Sequence, residues 1–246
     1  MKRVMLTVAY DGTNYHGWQL QPNVTTIESV LNGALSALLK EETKVIGASR
    51  TDTGVHALGN IAVFDTQARM PAEKFAYALN QRLPEDIRIQ DAREGPPDFH
   101  PRLQESRKTY EYKILNSAFP MPVYRLYAHF TYVPLDVSSM RRAAAYLVGT
   151  HDFKSFCSVN TTAETTVRTV YEITVDRCGD MITIRVTGSG FLYNMVRIIA
   201  GTLIEVGRGN WQPERMQDIL RACDRAHAGP TAPACGLTLV KYEFLD

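Results

Sequence analysis

The sequence predicts an α+β fold of two similar subdomains, each with mostly antiparallel strands flanked by helices. Three observations predict it. Strand-like and helix-like periodicities alternate along the chain, and that alternation runs twice. Strands are joined by hairpins as well as by helices, with few β-α-β crossovers. The segment Glu94-Gly95-Pro96-Pro97-Asp98 separates the two runs as a linker, which divides the chain into domains 1–100 and 101–246. Two similar halves imply a cleft between them, where binding sites commonly lie.

The elements follow in order. Val4, Leu6 and Val8 alternate with Met5, Thr7 and Ala9, the period of a half-buried strand, and Asp11-Gly12-Thr13-Asn14 supplies turn chemistry. Ile27, Val30, Leu31, Ala34, Leu35 and Leu38 then share one helical face. Thr25 followed three residues later by Glu28 reads as a capping box, starting that helix at about Thr26. Strands are expected at Lys44–Ala48 and Asn60–Asp65. A second helix runs from Pro71, burying Phe75, Ala78 and Leu79, until Pro84 stops it, and Asp86–Arg93 is a further strand.

The second half repeats the plan. Thr109–Leu115 is a strand and Ser139–Val148 a helix closed by Gly149. Val170–Val175 and Ile182–Thr187 form a hairpin through Arg177-Cys178-Gly179-Asp180. Phe191–Val206 is apolar on nearly every side and so predicts a buried helix. Pro213–Cys223 is amphipathic through Met216, Ile219, Leu220 and Cys223, and Leu237–Phe244 is a terminal strand.

Composition excludes several classes. With 246 residues, 45% hydrophobic and 22% charged, the chain is an ordinary globular one with enough length for real cores. Its apolar runs all stop short of the ~18 residues that cross a bilayer. Met1-Lys2-Arg3-Val4 leads into an alternating stretch rather than a signal-peptide core, so a cytoplasmic location is expected. Cys157, Cys178, Cys223 and Cys235 are widely spaced without a C-x-x-C pair, which argues against a disulfide framework or compact zinc site. Net charge is only +1. Its distribution is uneven, however: Arg102, Arg107, Lys108, Lys113 and Arg125 face only Glu105 and Glu111 over residues 101–125. A local basic stripe of this kind can bind phosphates while the whole chain stays near neutral.

One segment concentrates groups that could do chemistry: Gly47-Ala48-Ser49-Arg50-Thr51-Asp52-Thr53-Gly54-Val55-His56-Ala57. Gly54 permits a sharp turn just after the carboxylate, and Arg50 and Asp52, two apart, project on one side of an extended chain. His56 lacks nearby metal-ligating neighbours and reads as a packed or hydrogen-bonded histidine. Arg197 lies in the most apolar helix, where a guanidinium is costly to bury without a partner.

The Asp52 segment resembles the active-site motif of the tRNA pseudouridine synthase A family, Gly-x-Arg-Thr-Asp-x-Gly-Val-His-Ala. Ser49 before the arginine, with Gly47 and Ala48 ahead of it, is a minor departure. Three further stretches agree in order: Ala9-Tyr10-Asp11-Gly12-Thr13-Asn14-Tyr15-His16-Gly17-Trp18-Gln19, Arg107-Lys108-Thr109-Tyr110-Glu111-Tyr112, and Gly190-Phe191-Leu192-Tyr193-Asn194-Met195-Val196-Arg197. Some family members carry His at the place of Asn194. Gly236-Leu237 before the last strand fits as well, so the similarity spans essentially the whole chain.

The resemblance implies the pseudouridine synthase fold and an isomerase that breaks the uracil N1 to ribose C1′ bond, rotates the base and rejoins it through C5. It places the catalytic carboxylate at Asp52, acting covalently at C1′ or by removing a ribose proton. Arg197 becomes its counter-cation, and Tyr110 the ring that stacks on the flipped uracil. Arg50, Arg107, Lys108 and Arg168 become RNA contacts. It further implies the 3′ side of the tRNA anticodon stem-loop (positions 38–40) as substrate, a homodimer, no metal and no organic cofactor. Two rivals are weaker. Asp52-Thr53-Gly54 also spells the aspartic-protease triplet, but that fold needs two such carboxylates and a second Asp-Thr-Gly does not occur. A non-catalytic RNA-binding module would explain Lys108 to Tyr112 but neither the Asp52 loop nor the lone helix arginine.

Overall fold

The computed structural model describes residues 1–159, 161 and 163–245. In chain order its elements are β1 (Lys2–Tyr10), α1 (Ile27–Leu39), β2 (Ile46–Gly47), β3 (His56–Thr66), α2 (Lys74–Asn80), β4 (Ile87–Gly95) and β5 (Ser106–Asn116). They continue as β6 (His129–Thr131), α3 (Val137–Ala145), β7 (Gly149–Asp152), β8 (Val167–Cys178), β9 (Met181–Gly188), α4 (Met195–Gly207), α5 (Arg215–Ala222) and β10 (Leu237–Phe244). Short 3-10 turns sit at Pro122–Tyr124, Lys154–Phe156, Arg225–His227 and Ala234–Gly236. The fold class is α+β with mostly antiparallel pairing, as expected; the β5–β6 pair is parallel. The chain divides into two compact units, Met1–Ser106 with Leu239–Asp246, and Arg107–Thr238.

In the first unit the strands lie in the order β4-β1-β3-β10, with β2 beside β3. β1 is antiparallel to both neighbours, with Val4 opposite Phe64 and Leu6 opposite Ala62 on β3. Phe64 meets Phe75 of α2 edge to face at 5.2 Å, so this face is the one covered by helix. Met5, Ile61 and Val63 point the other way, yet they too are buried, beneath Phe99, Tyr242 and Phe244. The central strands are therefore covered on both faces, where simple alternation predicts a half-buried strand. Phe99 and Phe244 pack edge to face at 4.9 Å, and Tyr242 Oη donates to the Pro101 carbonyl at 3.1 Å. Through these contacts the last strand of the chain becomes part of the first unit.

Helix α1 is capped one residue later than expected. Thr26 Oγ1 accepts from the Ser29 N–H at 3.2 Å, and Ser29 Oγ accepts from the Thr26 N–H at 3.0 Å. Serine thus plays the reciprocal part usually taken by Glu or Gln. Glu28 instead accepts from the Leu20 N–H at 2.8 Å and ties down the preceding loop. The helix expected between Pro71 and Pro84 is shorter, because Pro71 opens a turn that delivers the chain into α2. The expected strand at Lys44–Ala48 contracts to Ile46–Gly47, while β3 starts earlier than expected, at His56.

In the second unit the order is β5-β9-β8-β7. The hairpin between β8 and β9 turns at Gly179-Asp180, with Gly179 at φ 58°. Helix α3 starts at Val137, where Asp136 Oδ1 accepts from the Ser138 N–H at 2.9 Å. It ends at Ala145, and Gly149 opens β7 rather than closing the helix. The apolar segment expected as one helix from Phe191 begins its helix only at Met195. Every residue of α4 except Arg197 and Glu205 is buried. Residues 228–232 lie flush against it: a Cβ on Gly201 would stand 1.8 Å from the Pro230 carbonyl oxygen, and one on Gly229 2.7 Å from Thr202 Cα. Thr202 Oγ1 donates to the Ile198 carbonyl at 2.8 Å and accepts from the Gly229 N–H at 3.0 Å, closing the contact. Among the described residues, no helix is long and apolar enough to cross a membrane. All four cysteines are free thiols.

Candidate active site

The Asp52 loop joins β2 to β3 and is held from beneath by its own alternation. Arg50 is exposed, Thr51 buried and Asp52 half-buried, so arginine and carboxylate flank an inward threonine. Thr51 Oγ1 lies 2.8 Å from the buried Tyr10 hydroxyl, which also accepts from Asn60 Nδ2 at 3.3 Å. Asn60 grips the strand end as well, bonding the Ser49 N–H at 3.2 Å and the Ser49 carbonyl at 2.9 Å. Burial holds the Tyr10 phenol well above its ordinary pKa, so it stays a neutral hydrogen-bonding group.

The loop after β1 clasps this turn from the side. The Trp18 N–H donates to the Thr51 carbonyl at 3.1 Å, the Gly54 N–H donates to the Tyr15 carbonyl at 3.2 Å, and the Val55 N–H closes on the Asp52 carbonyl at 3.1 Å. Gly17 has φ 79°, and a Cβ there would stand 2.5 Å from the Thr51 carbonyl oxygen; on Gly12 it would stand 2.0 Å from that of Val55. Only glycine lets the two backbones approach this closely. His56 is buried, and its Nδ1 accepts from the Gly12 N–H at 3.1 Å, so it fastens one loop to the other. A carboxylate on such a turn is held without relying on its own side-chain entropy, which suits a reaction needing fixed geometry.

In the second unit, Tyr110 lies on β5 opposite Val186 of β9, and Lys108 opposite Gly188. The period of two puts Lys108 and Tyr110 on one face of β5 and Arg107 on the other. The Arg107 guanidinium instead stacks over the Tyr171 ring at 4.8 Å. The Tyr110 ring meets Phe191 edge to face at 5.3 Å and 88°, which fixes its plane. Burial, assisted by the nearby Arg168 charge, pushes the Lys108 ammonium down to about 8. Arg168, itself lowered by burial, donates to the carbonyls of Thr165 and Val167 and runs past Gly190. The structure thus groups Lys108, Tyr110 and Arg168 and sets Arg107 apart.

Arg197 on α4 is oriented from two sides. Its Nε donates to the Ala232 carbonyl at 2.8 Å and its Nη1 to Asn194 Oδ1 at 2.8 Å. Asn194 Nδ2 in turn donates to Ser158 Oγ at 2.8 Å. None of Asn194, Ser158, Ala232, Tyr10 or Asn60 stands out as a site residue by sequence reading alone. Asn194 falls inside the helix expected from Phe191, and its one local signal is that asparagine tolerates left-handed backbone. Among the described residues, no group of three or more His, Cys, Asp or Glu side chains could hold a metal ion.

A family model described as tRNA pseudouridine synthase matches residues 6–103 and 143–244. The tRNA pseudouridine synthase A of Thermoanaerobacter sp. (strain X514) is 49% identical over 244 residues, covering 99% of this chain and 100% of that protein. That of Acetivibrio thermocellus is 46% identical over 244 residues, with 99% and 100% covered. Among solved structures, a chain of the archaeal box H/ACA sRNP Nop10-Cbf5 complex is similar at a TM-score of 0.34 and 14% identity, covering 81% of this chain and 53% of that one. The motif-bearing loop and helix described above lie within the matched segments, and full-length similarity at this level decides the matter: the chain belongs to the tRNA pseudouridine synthase family.

Proposed function

We propose that this tRNA pseudouridine synthase isomerises uridines on the 3′ side of the anticodon stem-loop, with Asp52 as the carboxylate that acts at the ribose. The bond from N1 to C1′ breaks, the base rotates, a bond from C5 to C1′ forms, and the proton on C5 leaves while N1 gains one. Arg197 is the cation that keeps Asp52 ionised in a site from which water is excluded, since burial alone would favour the protonated acid. Tyr110 receives the extruded uracil on its ring, a stacking worth roughly 1–3 kcal/mol per base, and its hydroxyl takes the C5 proton. Arg50, beside Asp52 on the same side of the loop, fills the stack vacated by the base or holds the adjacent phosphate. Lys108, Arg168 and Arg107 bind the RNA backbone.

The observation that carries this reading is the clamped turn at Asp52, fixed by backbone bonds to the Tyr15–Trp18 loop and by Thr51 on Tyr10. The test is incubation with unmodified tRNA transcripts followed by chemical mapping of pseudouridine. Conversion confined to the 3′ side of the anticodon stem-loop is the expected result. If no transcript is modified, the protein is an RNA-binding module instead.

Two further parts of the proposal concern setting. The protein works in the cytoplasm, where its substrate is, and as a homodimer whose composite surface offsets the modest positive charge of each chain. Light scattering on the purified protein is expected to give twice the 27.6 kDa of one chain; a monomer at micromolar concentration defeats that part.

Lys108 gives the proposal a pH signature. Its folded pKa lies near 8, below the ordinary 10.5. Between those values the unfolded chain holds more protons, so folding gains stability as pH rises through that window. RNA binding runs the other way, because a phosphate needs the ammonium charged. The affinity for tRNA is expected to fall as pH rises from 7 to 9, by about tenfold at fixed salt for loss of one charged contact. Lys108→Met should abolish that dependence, and an unchanged slope in the variant removes Lys108 from the interface.

A further inference from the structure

We propose that Asn194 is a positioning residue for the reaction, orienting the Arg197 guanidinium at the expense of its own helix. This rests on the role given to Arg197 above. Asn194 occupies the cap position of α4, where an asparagine ordinarily adopts extended backbone and accepts a hydrogen bond from a first-turn N–H. Here it does neither. Its backbone is left-handed, at φ 61° and ψ 8°, and its side chain makes no capping bond. Forgoing the cap leaves the helix less stable than a conventional start would. A strained backbone kept together with an omitted cap points to a use for that side chain elsewhere.

The use is visible in the bonds the amide does make. Oδ1 accepts from Arg197 Nη1, one turn further along the helix, and Nδ2 donates to Ser158 Oγ, both at 2.8 Å. The Ser158 N–H donates to the Tyr193 carbonyl at 3.1 Å, so the serine is itself held next to the residue before Asn194. On the far side, Arg197 Nε donates to the Ala232 carbonyl, and the Arg197 carbonyl accepts from the Ala232 N–H at 3.1 Å. Ala232 belongs to the segment that Gly201 and Gly229 allow to lie flush on α4. A guanidinium gripped at two different nitrogens by groups on opposite sides has its plane fixed, not merely its position. Left-handed backbone at Asn194 is what swings the amide away from the helix end and toward Nη1.

The backbone and side-chain roles can be separated, which makes the idea testable. Asn194→Gly keeps the left-handed conformation and removes only the amide. Asn194→Asp keeps the shape and sets a negative charge against the guanidinium. For each variant, the thermal midpoint, the tRNA dissociation constant and the single-turnover rate of pseudouridine formation would be measured. Asn194→Gly is expected to keep tRNA affinity near wild type and to lower the midpoint only modestly, by the loss of its two amide hydrogen bonds, while slowing the single-turnover step by about 10- to 100-fold, the loss that misorientation of a fixed group produces. Asn194→Asp should be slower still, because it competes for the charge as well as the geometry. Single-turnover rates within twofold of wild type in both variants overturn the proposal. So does a fall in rate accompanied by an equal fall in stability and affinity, which marks a purely structural residue. Asp52→Asn, assayed in parallel, distinguishes the two levels: full activity there removes the role on which the proposal rests, whereas an inactive Asp52→Asn beside Asn194→Gly and Asn194→Asp that both stay within twofold of wild type removes only the role of Asn194.

Discussion

Asp52→Asn is expected to abolish turnover while leaving the protein folded and able to bind tRNA. Asparagine is isosteric with aspartate, and the bonds that fix this turn run through its backbone and through Thr51 and Gly54. Nothing in that clamp depends on the charge. The proposed chemistry does depend on it, because an amide neither attacks C1′ nor removes a ribose proton under these conditions. The loss should be on the order of 10⁴-fold in kcat, comparable to removing one member of a catalytic unit, with the tRNA dissociation constant changed less than threefold by filter binding. Retention of even a tenth of wild-type turnover would remove Asp52 from the mechanism.

Arg197→Ala is expected to lose activity and stability together. The guanidinium holds the Ala232 carbonyl and the Asn194 amide, so its removal leaves two acceptors on either side of α4 without their donor. Hydrogen bonds from a charged group contribute about 1.5–3 kcal/mol each in such settings, and a loss of about 2–3 kcal/mol overall is expected in chemical denaturation. Activity should fall at least ~10³-fold, since the electrostatic support proposed for Asp52 goes with it. Arg197→Lys separates the two effects: it restores a positive charge without the planar fork, so stability recovers in part and rate hardly at all. Turnover near wild type in Arg197→Lys would show that charge alone, rather than oriented charge, is what the reaction needs.

The parts of the site that the sequence announces are those whose chemistry is local. Arg50, Thr51 and Asp52 sit next to one another, and Lys108 and Tyr110 share a strand face by simple alternation. The supports were hidden because each joins residues far apart: Tyr10 to Thr51 across 41 positions, Asn60 to Tyr10 across 50, Asn194 to Ser158 across 36, Arg197 to Ala232 across 35. No periodicity records such a join. Element boundaries slipped for a different reason. Two adjacent threonines are equally good caps on paper, and only the position of Ser29 chooses Thr26. Likewise, Phe191 to Asn194 continue an apolar run, but the left-handed residue at 194 keeps them out of the helix. The strand alternation that puts Arg107 and Lys108 on opposite faces shows the limit of composition: a basic stripe along the chain is not a stripe in space.

The membership of β10 in the first unit has a consequence for how the protein is made. A ribosome that has emitted residues 1–106 has released a sheet still missing its final strand, with Phe99 waiting for a ring that is synthesised some 140 residues later. The second unit, Arg107–Thr238, is by contrast continuous in sequence and can close as it emerges. Birth order and order of completion are thus reversed, and the amino-terminal half, which carries Asp52, is the last to be finished.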